Sequence, residues 1–321
     1  MSQIPVTIGI DIGGTNTVYG YVTEKGRIIY ESSLLTKAEK SAEDLFERLF
    51  INIKKSSKKI SKKYMVLGIG IGAPNANYYK GIIDNPPNLK WGKVNVIKLL
   101  KRYSDLPCVI TNDANIAALG EMHFGAAKKM KNFVVITLGT GVGSGIIVDR
   151  KLLYGSDGFA GEIGHTIVMP NGRKCSCGRN GCLEAYASAG GIKNTALQLL
   201  DDLEIPSILR KIPTDEITPK VIYNAAKKND IIALQCFNYT SRILGMKLAD
   251  TVGYLSPEAI ILFGGIMQAG DFILKPVKKY MEKNLFYIYK NKVKIMKSSL
   301  PGAHAAVLGG SALIWNELNN K

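Results

Sequence analysis

The stretch VTIGIDIGGTNTVYGYV at residues 6–22 decides the fold. An apolar run rises to Asp11, Gly13 and Gly14 make a tight turn beside Thr15, and a second β-rich run returns. NFVVITLGTGVGSGIIVD at 132–149 repeats the plan: strand, glycine turn with Thr140, strand. Two hairpins of this kind, one per lobe, would let two loops grip one phosphate chain from opposite sides. Two unrelated glycine hairpins are the alternative.

Working outward, RIIYESSLL (27–35) reads as a strand. A helix is expected from Ser41, with Glu43 and Asp44 in its first turn and Leu45, Phe46, Leu49, Phe50 and Ile53 at helical spacing. YMVLGIGIG (64–72) reads as a buried strand, residues 94–103 as a short helix, PCVITND (107–113) as a strand and 113–124 as a helix. Residues 161–191 are expected to be a long irregular insertion. Helical patterns resume near 219–228 and 230–252, followed by a strand EAIILFGG (258–265), a helix near 271–285, a strand VKIMKSS (293–299) and a final helix near 303–319. The order resembles the duplicated architecture of the actin-like ATPase and sugar-kinase superfamily. The expected fold class is therefore α/β: a two-lobed actin-like ATPase (ribonuclease H-like) duplication with a central cleft and, from the grouping of His165, Cys175, Cys177 and Cys182, a zinc-binding insertion. Lobe one would comprise residues 1–115 with helix 303–321; lobe two would comprise 116–302 with the zinc segment 161–184.

Glycine turns suit phosphate because bare backbone N–H groups can approach its oxygens. In DIGGTN (11–16), Gly13 and Gly14 expose such groups, Thr15 offers a hydroxyl, and Asp11 offers a carboxylate for Mg²⁺, direct or through water. In LGTGVGSG (138–145), Gly139, Thr140, Gly141 and Gly143 repeat the arrangement. The turn leads to a strand instead of a helix, which argues against a dinucleotide site. No lysine-bearing P-loop is present. A third turn, LFGGI (262–266), ends a strand at Gly264 and Gly265 and leaves room for a flat purine.

TNDANIAALGE (111–121) places Asn112 and Asp113 at the carboxyl end of a strand, where open α/β sheets bind ligands. A kinase acting on an alcohol needs a carboxylate there to take the hydroxyl proton. Asp113 is the candidate base; helix capping is the other role open to it. Further on, His165 is followed by Cys175, Cys177 and Cys182, one imidazole and three thiols suited to tetrahedral Zn²⁺. Four protein ligands fill the shell, so the metal would be structural. A redox couple is the competing use. Glu162 and Glu184 flank these ligands, and with Asn112 and Asp113 they would form a polar wall for a polyol. His165 could hold metal through one ring nitrogen and donate to a sugar hydroxyl through the other. Metal loss should then weaken sugar affinity and stability together without abolishing nucleotide binding.

Composition excludes other classes. At 46% hydrophobic and 21% charged residues, a disordered chain is ruled out. The longest apolar runs fall far short of a bilayer span, which needs about 20 residues. With MSQIPVTIGID running straight into a strand, the expected location is cytoplasmic and no membrane partner is expected. Five cysteines, three of them clustered, fit a metal in a reducing compartment better than a closed disulfide framework. The net charge of +16 invites a nucleic-acid partner. Its sources are lysine-rich patches without interleaved aromatics, such as KKSSKKISKK (54–63), and these read as a solvated basic face.

DIGGTN at 11–16, GAPN at 72–75, PNLKW at 87–91, NDANIAALGE at 112–121, LGTGVGSG at 138–145, GFAGEIGH at 158–165 and CSCGRNGCLE at 175–184 together resemble the ROK family (repressors, open reading frames and kinases). The resemblance covers nearly the whole chain. It implies ATP-dependent phosphorylation of a hexose at its terminal hydroxyl, with Mg²⁺ and a bound Zn²⁺. By matching position, Asp113 would be the base. Asn112, Asp113, Glu162, His165 and Glu184 would contact sugar; His165, Cys175, Cys177 and Cys182 would hold zinc; and the glycine turns would hold ATP. Glucose to glucose 6-phosphate is the first expectation, with N-acetylglucosamine, N-acetylmannosamine or fructose as alternatives. Family repressors carry a DNA-binding domain ahead of the DIGGT hairpin. This chain starts at the hairpin, so an ATP-dependent hexokinase is expected over a sugar-sensing regulator. A homodimer or homotetramer is the expected assembly. Ala76 stands where the family pattern often has glycine.

Overall fold

The structure is a computed structural model, and it describes residues 3–300, 302 and 304–319. Positions 303, 320 and 321 of the expected final helix lie outside the described residues.

Along the chain, strands β1 (Ile4–Ile12), β2 (Asn16–Thr23) and β3 (Ile28–Leu35) lead into helix α1 (Ala42–Ile60) and strand β4 (Tyr64–Gly72). Three short strands, β5 (Ala76–Asn77), β6 (Ile82–Ile83) and β7 (Val94–Asn95), precede helix α2 (Val96–Leu100), strand β8 (Cys108–Thr111) and helix α3 (Asp113–His123). Strands β9 (Phe133–Leu138), β10 (Val142–Val148) and β11 (Lys151–Leu152) follow. Next come helices α4 (Glu184–Ala187), α5 (Ala189–Asp202), α6 (Pro219–Ala226) and α7 (Ile231–Leu255). Strand β12 (Ala259–Phe263), helix α8 (Asp271–Asn284), strand β13 (Lys294–Lys297) and helix α9 (Ala305–Asn319) complete the order.

The chain divides into two compact units. The first runs through Met130, takes in Gly145–Ala160 and resumes at Ser299; the second comprises Lys131–Ser144 and Gly161–Ser298.

The first unit is built on a mixed sheet ordered β3-β2-β1-β4-β8. Strand β1 runs antiparallel to β2 and parallel to β4, and β4 runs parallel to β8. The sequence of β4 explains its two faces, since side chains alternate across a strand. Ile69 and Ile71 enter a buried core with Leu45, Phe46 and Leu49 of α1. The intervening glycines take the opposite face. A Cβ on Gly70 would lie 2.0 Å from the Gly310 carbonyl oxygen of α9, and one on Gly72 would lie 2.2 Å from Ile116 of α3. Likewise Gly9 of β1 meets the Val307 carbonyl oxygen, at 1.9 Å from a built Cβ. Thr7, on that same face, bonds Ser311 at 2.7 Å. Isoleucines fill one layer while glycines let helix backbone close on the other. Helix α1 starts at Ser41, whose hydroxyl accepts from the Asp44 N–H at 3.3 Å, and it carries Lys58 and Lys59 in its last turn.

The second five-stranded sheet is ordered β11-β10-β9-β12-β13, with β12 parallel to both β9 and β13. In the second unit α7 packs along α8 and α5. The expected irregular segment 161–191 contains α4 and the first turn of α5, a helix the periodicity does not announce. Its opening glycines, Gly190 and Gly191, hide it. The Ser188 hydroxyl accepts from the Gly191 N–H at 3.1 Å, and the helix buries only a few small or β-branched residues, among them Ile192, Thr195 and Ala196.

Candidate functional site

In the first unit, sheet register brings the candidate acids together. Asp11 pairs with Gly72, and Gly72 with Thr111, so the three occupy one row across the sheet. Asp113 follows Thr111 by two residues as the first residue of α3. The Asn112 side chain caps that helix, accepting from the Asn115 N–H at 2.7 Å. Capping therefore belongs to Asn112. Asp113 Oδ1 accepts from its neighbouring Ala114 N–H, at 2.9 Å. Asp113 keeps surface open to solvent, yet the protein around it is dense. That desolvation raises its carboxyl above the usual range, with its own N–H and that of Ala114 pulling the other way. Asp11 is raised from 3.8 to about 7, chiefly by burial and further by the charge of Asp113. Two carboxylates that repel each other and are partly desolvated make an arrangement a cation would relieve.

The adjoining turn has the geometry expected of a phosphate loop. The Gly13 N–H closes the turn on the Asn16 carbonyl at 3.0 Å. The N–H groups of Gly14 and Thr15 find no acceptor among the described residues, and Thr15 is exposed. Gly14 has no room for a side chain, since a Cβ would lie 2.9 Å from that of Asn88.

The second unit carries the other turn and the thiol cluster. The Gly139 N–H bonds the Gly141 carbonyl at 3.0 Å, leaving the Thr140 and Gly141 N–H groups without an acceptor among the described residues. The Gly143 N–H is engaged inside the hairpin, donating to the Thr137 hydroxyl at 3.1 Å. Nothing lies within 4 Å of a Cβ built on Gly139, so the space beside it is open. Gly264, at φ 113°, abuts the Leu138 carbonyl, 2.3 Å from a built Cβ, whereas Gly265 faces open space. Only glycine accommodates that close approach at a positive φ.

His165, Cys175, Cys177 and Cys182 each offer a ligand atom, and all four atoms lie within 4.8 Å of one another. His165 Nδ1 is 3.6 Å from Cys175 Sγ, and the sulfurs of Cys177 and Cys182 are 3.7 Å apart. Cys175 and Cys182 are buried while Cys177 is exposed. Burial pushes the Cys182 thiol up to about 12. Burial also opposes ionisation of Cys177, but hydrogen bonds from Arg179, Cys175 and Cys182 outweigh it and bring that thiol to about 6. Arg179 also holds the loop, donating to the His165 carbonyl at 2.7 Å. One imidazole and three mutually close thiols form a donor set that fits tetrahedral zinc.

Glu184 sits where this loop meets the glycine turn. Its Oε1 accepts from the Ser176 hydroxyl at 2.9 Å, and its Oε2 accepts from the Val142 N–H at 3.0 Å. Glu162 immediately precedes the 3-10 turn Ile163–His165 and is exposed. Sequence reasoning misses Ser176, because a serine between two cysteines carries no pattern that shows its partner. No described helix is long and apolar enough to cross a membrane.

Comparison with known proteins places these features. The chain is 34% identical over 317 residues to a glucokinase of Halalkalibacterium halodurans, covering 98% of this chain and 96% of that one. It is 32% identical over 313 residues to a xylose repressor of Caldicellulosiruptor bescii, covering 97% of this chain and 78% of the repressor. Among solved structures, a glucokinase of Streptomyces griseus in complex with glucose and AMPPNP superposes with a TM-score of 0.80 at 33% identity, covering 96% of this chain and 98% of that one. The fold is accordingly the α/β, actin-like ATPase fold of such kinases, with mixed sheets. With both glycine turns, the thiol cluster and α3 inside residues 7–317 that match the family model, the chain belongs to the ROK family.

Proposed function

We propose that the protein is an ATP-dependent hexokinase that converts glucose to glucose 6-phosphate. The observation that carries this reading is Asp113: a carboxylate at the sheet's carboxyl end, raised by desolvation, in a chain similar to glucokinases over nearly its full length. A raised carboxyl is a stronger proton acceptor, which is what abstraction from a sugar hydroxyl requires. As the terminal hydroxyl oxygen bonds to the γ-phosphorus of ATP, the bond from that phosphorus to the β–γ bridging oxygen breaks. ADP departs and the hydroxyl proton passes to Asp113.

The amides of Gly13, Gly14, Thr15, Gly139, Thr140 and Gly141 are assigned to the phosphates, and the turn at Gly264 and Gly265 to the purine. Gly143 acts within its hairpin, holding the turn through Thr137. Asp11 is the residue that would hold Mg²⁺, which when bound neutralises phosphate charge. For the sugar, Asn112 and Asp113 are assigned in the first unit and Glu162, His165 and Glu184 in the second. His165, Cys175, Cys177 and Cys182 would hold zinc, which cross-links the loop that carries His165 and precedes Glu184.

A coupled ADP assay tests this reading with a panel of glucose, N-acetylglucosamine, N-acetylmannosamine and fructose, each with ATP and with polyphosphate. Turnover is expected with glucose and ATP; no turnover with any sugar would refute the kinase reading. A second reading, a sugar-sensing regulator, is favoured by the similarity to a xylose repressor. A salt-dependent DNA titration with and without hexose separates the two.

A further inference from the structure

The first unit holds a cavity of about 730 Å³ that shares no residue with the assigned sugar, nucleotide or metal sites. Its floor is apolar and comes from three elements: Ile8 of β1, Ile53 of α1, and Val66 and Ile69 of β4. One wall is the stacked pair of Phe50 and Tyr103, with ring centroids 5.1 Å apart and planes at 14°. The volume falls within the roughly 300–1,000 Å³ usual for small-molecule sites. Exposed apolar surface gathers at its mouth, where Ile51 is 48% and Tyr103 37% accessible. A ligand that covered this apolar surface would gain affinity by removing it from water.

The rim is cationic. Lys54 and Lys58 stand one helical turn apart on α1, so they project from the same side, and Arg102 lines the cavity as well. Glu47 is the single acid in the lining. Among the described residues, Lys54, Lys58 and Arg102 form no ion pair. Like charges at this spacing repel, and an anionic group seated between them removes that repulsion.

We propose that this cavity is a second ligand site, for an unbranched acyl chain ending in a carboxylate, with the chain on the isoleucine floor and the carboxylate at the lysine–arginine rim. Both halves of such a ligand are matched, and neither half alone accounts for an apolar floor beneath an unpaired cationic rim.

The test is isothermal titration of the full chain with octanoate, decanoate and dodecanoate below their micelle concentrations. Saturable one-to-one binding is expected, tightening by about fourfold per added methylene, since each buried CH₂ contributes about 0.8 kcal/mol. Octan-1-ol should bind about tenfold or more weaker than octanoate. The double substitution Lys54→Glu, Lys58→Glu should weaken decanoate about tenfold or more with an unchanged melting temperature. Arg102→Ala, far from α1 in sequence, supplies the same readout should the double variant fail to fold. Absence of saturable binding, equal affinity for octanol and octanoate, or parental affinity in the folded rim variants would each overturn the proposal. None of these readouts depends on kinase activity, so they stand or fall apart from the reading above.

Discussion

Glu184 accepts a hydrogen bond from the backbone N–H of Val142 at 3.0 Å, and this contact ties the thiol loop to the glycine turn. Val142 is the first residue of β10, directly after the Thr140–Gly141 pair, whose amides have no acceptor among the described residues. The other Glu184 oxygen is held by Ser176, which lies between Cys175 and Cys177. Two further contacts run alongside. The Ala189 N–H donates to the Gly139 carbonyl at 2.8 Å, and Gly164 packs so close to Val142 that a Cβ would lie 1.9 Å from its carbonyl oxygen. The segment that carries His165 and the three clustered thiols therefore also shapes the turn assigned to phosphate.

Stripping metal with a chelator should accordingly weaken nucleotide binding as well as sugar binding. We expect the AMPPNP dissociation constant to rise about fivefold on metal removal, and about threefold for Ser176→Ala with metal present. Calorimetry on loaded and stripped protein measures both. Unchanged nucleotide affinity would show that the Glu184 bridge is structurally idle.

Asp113→Asn should lower kcat by about a hundredfold to ten-thousandfold. Glucose binding, followed by calorimetry, should stay within about threefold of the parent, because the amide keeps the carboxylate's shape and one accepting oxygen, and its NH2 can donate to a sugar hydroxyl oxygen. Turnover close to the parental value would remove Asp113 from its assigned role.

Asp11 makes stability depend on pH in a defined direction. Its carboxyl is raised to about 7 in the folded chain from an ordinary value of 3.8. Between those values the folded chain holds a proton that the unfolded chain has lost, so stability falls as pH rises through that window. Asp11→Asn removes the ionisable group. Its melting temperature should exceed that of the parent by about 5 °C or more at pH 8, and should match it near pH 4. Calorimetric melting at the two pH values decides, and an equal difference at both would contradict the assignment.

Two glycines in different settings should respond oppositely. Gly70→Ala places a methyl 2.0 Å from the Gly310 carbonyl oxygen, and backbone must move to admit it. A loss of about 3 kcal/mol in urea unfolding is expected. Gly139→Ala meets nothing within 4 Å, so its stability should change by less than about 1 kcal/mol. Its ATP affinity should nevertheless fall, because the methyl would stand in the open space beside the free amides.

Much of this was legible in the sequence, for physical reasons that differ by element. The hairpins at 6–22 and 132–149 announce themselves because strand periodicity breaks sharply at glycine. Helix α1 does so because Ser41, Glu43 and Asp44 mark its start ahead of a helical apolar stripe. The thiol cluster is legible because His165, Cys175, Cys177 and Cys182 form a donor set whose spacing lets a short loop close on itself. Helix α5 is not, since Gly190 and Gly191 read as a loop and its buried face is small. Nor is the diversion of the Gly143 N–H to Thr137, which depends on a cross-strand hydroxyl that no local spacing encodes. The Glu184–Val142 bond spans 42 residues of chain and exists only once the loop has folded back.

The packing of α9 on the glycine face of the first sheet has a consequence for how the protein is made. Gly70 and Gly310, which touch, are 240 positions apart (310 − 70), and the second unit is encoded between them. A ribosome adding about 5–20 residues per second needs roughly 10–50 s to cover that distance. Throughout that interval strands β1 and β4 lack the helix that covers them, so the first unit begins to fold first yet is finished last. Nascent chains arrested before Val307 should therefore hold a sheet open to chaperones and proteases, even after the second unit has closed.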